Sequence, residues 1–209
     1  MSKRQYEFII DIDASPEEIW QALTEGEGIR KWFAPDASVT PGLGGSITLS
    51  WGEGCEGTAP IHLWEPKQRF GWTEGAKLVE IEIETAAGGF TRLRLVHSGF
   101  GAESNFDQEY DSTQAGWQCY LAMLKHSAER YAGIPATHVH VLKQFPESTD
   151  AIWGRLTGPA GAAIDPLTEG QPYRANLGVI PIQGAVIRYV KPGYLCLDAG
   201  DSIVALFVE

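Results

Sequence analysis

Cysteine is scarce: Cys55, Cys119 and Cys196 make an odd number with no Cys-x-x-Cys spacing. That excludes a disulfide framework and a thiolate metal knuckle, and it fits buried thiols in a reducing compartment. Positive charge is also short. Lys and Arg number 16 against 27 Asp and Glu, a net charge of −11, and no basic run exists to neutralise phosphates. Nucleic acid and acidic membrane surfaces are excluded as partners on that ground. Long apolar runs are missing too, so no membrane span is expected. The start, MSKRQYEF, has no apolar leader and runs straight into a strand pattern, which makes the cytoplasm the expected location.

What the chain has is 44% hydrophobic residues, enough for a real core without metal or disulfide staples, and seven tryptophans. Tyr6 to Ile12 alternates as a strand, and Ser15, Pro16 and Glu18 then form a helix start with a capping box. Ile19, Trp20 and Leu23 give that helix its apolar face, Gly26 and Gly28 are expected to stop it, and 29–33 reads as a second short helix. From Gly42 to His97 the pattern is an antiparallel meander. Ile47, Leu49 and Trp51 share one strand face, Phe70 and Trp72 another, and Val79, Ile81 and Ile83 oppose Glu80, Glu82 and Glu84. Leu93, Leu95 and His97 oppose Arg92 and Arg94, so the Glu row and the Arg pair are expected together on a solvated outer face. Asp111 to Ala132 returns to helical spacing, with Trp117, Tyr120, Leu121 and Leu124 on one stripe and Asp111 and Gln114 expected at its start. Glu103, Asp107, Glu109 and Asp111 read as an acidic loop before that helix.

The segment Ser148 to Thr157 matches Ser15 to Thr24 at Ser, Ile, Trp, Leu and Thr without a gap, and a strand-like His138 to Leu142 precedes it. Downstream, 184–192 parallels 57–66 and 203–209 parallels 78–84. Residues 134–209 therefore read as a truncated half-repeat that lacks the last strand and the long helix, with 1–133 as the complete domain. A sheet so shortened needs to pack on the first domain or on a second chain, which also makes a homodimer an expectation.

Taken in order, the capped Ser15-Pro16-Glu17-Glu18-Ile19-Trp20, Lys31-Trp32-Phe33, Trp64-Glu65-Pro66, Phe70-Gly71-Trp72, Thr91 to His97 and Gly116-Trp117 resemble one family. It is the START-like (SRPBCC, birch-allergen-type) superfamily, and within it the homologues of the activator of the heat-shock-protein-90 ATPase. The resemblance covers about residues 5–132. It implies an α+β helix-grip fold, a curved antiparallel sheet wrapped around a long C-terminal helix with a cavity between them. It implies no shared catalytic motif, and the fold constrains function weakly.

Trp20, Trp32, Phe33, Trp51, Phe70, Trp72, Trp117, Tyr120 and Leu124 are the expected ligand-contacting residues, with His97 as an inward polar group. No cofactor or metal is expected: His138 and His140 are only half a metal site, and Gly42-x-Gly44-Gly45 lacks what a phosphate loop needs. Three readings stay open. They are a binding protein for a small hydrophobic or aromatic ligand, a protein-interaction module or chaperone regulator, and a cyclase- or hydrolase-type enzyme that uses His97.

Overall fold

The computed structural model describes residues 4–103, 106–164, 167–178 and 180–208. Strand β1 (Arg4–Ile12) leads to helices α1 (Pro16–Thr24) and α2 (Gly26–Arg30). Strands β2 (Asp36–Thr40), β3 (Ser46–Ser50), β4 (Glu56–Glu65), β5 (Arg69–Glu74), β6 (Lys77–Thr85) and β7 (Thr91–Phe100) follow, then helix α3 (Asp107–Arg130). The rest is α4 (Thr149–Thr157), β8 (Pro172–Leu177), β9 (Ile180–Lys191), β10 (Tyr194–Asp198) and β11 (Ile203–Phe207). These form two compact units, one of Met1–Tyr110 with Leu124–Leu142, the other of Asp111–Met123 with Lys143–Glu209. The middle of α3 thus counts with the later strands.

In the first unit a seven-stranded antiparallel sheet runs β1-β7-β6-β5-β4-β3-β2. Its register lines apolar residues into rows: Ile61, Trp72, Val79, His97 and Tyr6 lie directly across from one another, and so do Trp64, Phe70, Ile81, Leu95 and Phe8. Because side chains alternate, the opposite face collects the charges. Arg94 bridges Glu7 at 3.0 Å and Glu82 at 2.8 Å, and Arg92 binds both oxygens of Asp11. The Glu and Arg rows do meet across strands as expected.

Ser15 caps α1, its hydroxyl accepting from Glu18 N at 3.3 Å while the Glu18 carboxylate accepts from Ser15 N at 2.8 Å. Ser15 N, and the Ser15 hydroxyl donating at 2.7 Å, together lower the pKa of the Glu18 carboxyl. α1 ends at Thr24, close to the expected stop, but the second short helix, expected at 29–33, runs Gly26–Arg30, so both glycines lie inside α2. A Cβ on Gly28 would come 2.3 Å from Gln21 O, so here glycine serves close packing of α2 on the end of α1. Helix α3 starts at Asp107, four residues before the expected Asp111, and ends at Arg130. Arg4 reaches Asp107 at 2.6 Å, Lys77 reaches Glu109 at 2.6 Å, and both carboxylates sit in the first turn, where the helix dipole favours them. At the far end Glu129 accepts from Asp13 N at 2.9 Å, so both ends of the helix are tied to the first unit.

In the second unit the sheet order is β11-β10-β9-β8, all antiparallel. Trp153, Ile164, Tyr173, Val186, Leu195 and Leu197 make its core. Every residue of β10 is buried, because the strand is covered on both faces. Leu195 and Leu197 face that core, while Cys196 donates through Sγ to Cys119 O at 3.9 Å and Phe207 stacks on Tyr120. The sheet's second face is thus closed by α3 residues 111–123. The expected strand at 138–142 is absent: Val139 and Val141 are 92% and 81% exposed, in irregular chain. Alternation alone does not make a strand, since backbone N–H and C=O groups need a neighbouring chain.

Candidate functional site

The aromatic residues of the first unit meet ring on ring. Trp20 packs edge-on against Trp64 (5.0 Å) and Phe70 (6.3 Å), and Phe70 lies 5.5 Å from Trp72. Phe33 continues the line, 6.3 Å from Trp72, 5.4 Å from Trp51 and stacked on Trp32 at 5.0 Å. Strands and helix contribute to this array for separate reasons. Strand register puts Trp64 across from Phe70 and Trp72 in the next row, while the capped helix α1 presents Trp20 on its buried face. Offset and edge-on rings of this kind add about 0.5–1.5 kcal/mol per pair beyond burial.

The array is graded in exposure. Phe70 and Trp72 are sealed, at 0% and 1%, whereas Phe33, Trp51 and Trp64 are only partly buried. Its polar atoms are few and directional: Trp72 Nε1 donates to Glu74 at 2.8 Å and Trp32 Nε1 donates to Ala22 O at 2.9 Å. An apolar surface with a small number of fixed polar groups is the usual composition of a small-molecule site.

His97 sits in the row of Trp72, two strands away, so about 10 Å separates them along the sheet. It is 2% exposed, with Nδ1 2.9 Å from the Tyr6 hydroxyl, and its ring centroid lies 4.6 Å from that of Phe100. Burial, then the positive charge of Lys77, lowers its pKa to about 3, so the imidazole is neutral near pH 7. Tyr6, Phe100 and Tyr110 complete this second group.

The expected residues therefore divide. Trp20, Trp32, Phe33, Trp51, Phe70 and Trp72 come together, His97 belongs to the neighbouring group on the same sheet face, and Leu124 is buried in the first unit. Trp117 and Tyr120 fall in the second unit, where Tyr120 meets Phe207. Trp64 and Tyr6 were not among the expected residues. Trp64 was legible, because the 66–68 turn sets it across from Phe70, but Tyr6 pairs with His97 over 91 positions and no local signal announces that. Among the described residues no group of three or more His, Cys, Asp and Glu is placed to hold a metal ion. No described helix is long and apolar enough to cross a membrane. A depression of about 620 Å³ in the second unit is lined by Pro172, Tyr173, Arg174, Gln183 and Gly184.

The fold has many solved relatives. A conserved protein of unknown function from Enterococcus faecalis aligns over 66% of this chain and 78% of its own, at 24% identity and a TM-score of 0.55. The Aha1 dimer from Colwellia psychrerythraea is 26% identical over 64% of this chain and 100% of its own, with a TM-score of 0.52. A protein from Staphylococcus saprophyticus is 22% identical over 66% and 100%, at 0.54. Among curated proteins none matches the chain. The model of the activator of Hsp90 ATPase homolog 1-like proteins matches residues 13–129, from the cap of α1 to the end of α3, and the chain belongs to that family.

Proposed function

We propose that this protein binds a small hydrophobic or aromatic molecule against the aromatic array of its first unit, at the end where the rings of Phe33 and Trp51 are only partly buried. One observation carries the reading: the array is continuous from sealed rings to half-open ones, where a purely structural core would close. The free state of all three cysteines supports action in the cytoplasm. Titration with 1-anilinonaphthalene-8-sulfonate tests it. Saturable, one-to-one quenching of tryptophan emission is expected, weakened at least tenfold by Trp51→Ala. Binding of the dye that is unsaturable, or unchanged by that substitution, overturns the reading.

A second reading has its own support. Ile134, Val139, Val141 and Leu142 are each exposed along the irregular segment 134–142, which fits a protein contact, and the family description names an ATPase activator. Stimulation of a purified Hsp90-type ATPase that is lost on Val139→Asp/Val141→Asp would favour it; no stimulation would remove it. A homodimer is also proposed, by analogy with the Colwellia protein. The enzyme reading is not favoured, because an imidazole with a pKa of about 3 is too weak a general base near pH 7.

A further inference from the structure

Two helices in this chain are built alike. Ser15 and Ser148 are both N-caps whose hydroxyls accept from the N–H three residues on, at 3.3 and 3.4 Å. Thr24 and Thr157 both turn their hydroxyls back to a tryptophan carbonyl, Trp20 O at 2.7 Å and Trp153 O at 2.9 Å. Each tryptophan then meets an aromatic ring on a strand of its own sheet, Trp64 on β4 at 5.0 Å and Tyr189 on β9 at 6.2 Å. The strands that follow also run in one order, β6-β5-β4-β3 in the first unit and β11-β10-β9-β8 in the second. Read as a shortened copy, the second sheet has β11 where the first has β6. In the first sheet β6 has β7 on its outer side, whereas β11 is an edge strand of the second sheet.

We propose that β11 of a second copy takes that place, pairing antiparallel with β11 across a two-fold axis and joining two four-stranded sheets into one of eight. The edges of the molecule single this one out. Edge strands are blocked by charge, proline or brevity. β1 carries Glu7 and Asp11, β2 carries an exposed Asp36, and β8 starts at Pro172 and carries an exposed Arg174. β11 is Ile203-Val204-Ala205-Leu206-Phe207, with no charge, proline or glycine. Copies that each carry a net charge of −11 repel one another, so self-association is cheapest along an uncharged strip.

The pairing also fits itself. With the axis at Ala205, Ile203 lies across from Phe207 of the second copy and all five residues of each strand are paired. The period of two keeps Val204 and Leu206 on the side of the Trp153 core and Phe207 on the side of Tyr120 in both copies. A strand pair of this kind is isologous, as a two-fold dimer requires.

The test uses the full chain. Sedimentation should show a dimer, and Ile203→Lys should weaken its dissociation constant at least tenfold with the circular dichroism spectrum unchanged. A cysteine introduced by Ala205→Cys then reports the register, in a background carrying Cys55→Ser, Cys119→Ser and Cys196→Ala, since Cys196 lies directly across from Ala205 and would capture the new thiol. Paired residues at the axis bring their Cβ atoms to about 4.5–5.5 Å. Mild oxidation with copper phenanthroline should therefore link most Ala205→Cys dimers. Ile203→Cys should stay unlinked, its mates lying about 13 Å apart along the strands. This proposal rests on the homodimer reading, and the outcomes separate the two. A dimer with no link at 205 and no response to Ile203→Lys overturns the interface alone, and a monomer at 100 µM or so overturns both.

Discussion

Two rings of the one array play opposite parts. Phe70 is fully sealed, so Phe70→Ala should cost about 3–5 kcal/mol of stability, read as a lower urea midpoint. Trp51 stands at the half-open end, and Trp51→Ala should cost clearly less while it reduces dye affinity. An equal stability loss at both positions would mean that the array is core and nothing else. His97 gives a second prediction at this scale. Unfolded, its imidazole takes a proton near pH 6.5; folded, only near pH 3, because burial and Lys77 oppose the charge. The unfolded chain therefore holds more protons between those values, and stability is complete above pH 6.5 and falls as the pH drops. At pH 5 the loss from this group is about 2 kcal/mol. His97→Gln should remove that part, so its stability difference between pH 7.5 and pH 5 should be smaller than that of the natural protein. Equal differences would show that His97 does accept a proton in the folded state.

At the scale of elements the two capped helices offer a controlled comparison. Ser15 has a reciprocal partner in Glu18, while the equivalent position of α4 is Ala151, an exposed alanine. Ser15→Ala should cost about 1–2 kcal/mol and Ser148→Ala about 1. Ala151→Glu should rebuild the reciprocal bond and add about 0.5–1 kcal/mol through the cap and the helix dipole, measured by thermal unfolding. No gain would mean that α4 does not limit the stability of its unit. These helices also show what the sequence could reveal. Ser-Pro-Glu-Glu and its weaker repeat are local signals with a local mechanism, and both fall where expected. The strand at 138–142 and the start of α3 were misread because their outcome is set at long range. One lacks a neighbour to pair with, and the other is fixed by Arg4 and Lys77, which lie about 30 to 100 positions away along the chain. The aromatic array was legible as a list of large residues, but the ring-on-ring order depends on strand register, which only the folded sheet supplies.

For the whole molecule, the sharpest consequence comes from the division of α3. Its residues 111–123 close one face of the second sheet, through Cys119 against Cys196 and Tyr120 against Phe207, although the end of α3, a stretch of irregular chain and α4 lie between them and its first strand. A fragment cut at the apparent boundary, 134–209, keeps α4 and all four strands but leaves Tyr194, Cys196 and Phe207 facing water. Burial of such a face contributes roughly 25 cal/mol per Å², and a unit this small has little stability to spare. The fragment should therefore show no cooperative thermal transition and should bind 1-anilinonaphthalene-8-sulfonate strongly. A fragment that begins at 107 restores the covering helix and should melt cooperatively, with the dye excluded. If 134–209 melts cooperatively alone, the helix is not needed to complete that core and the second unit is a domain in its own right.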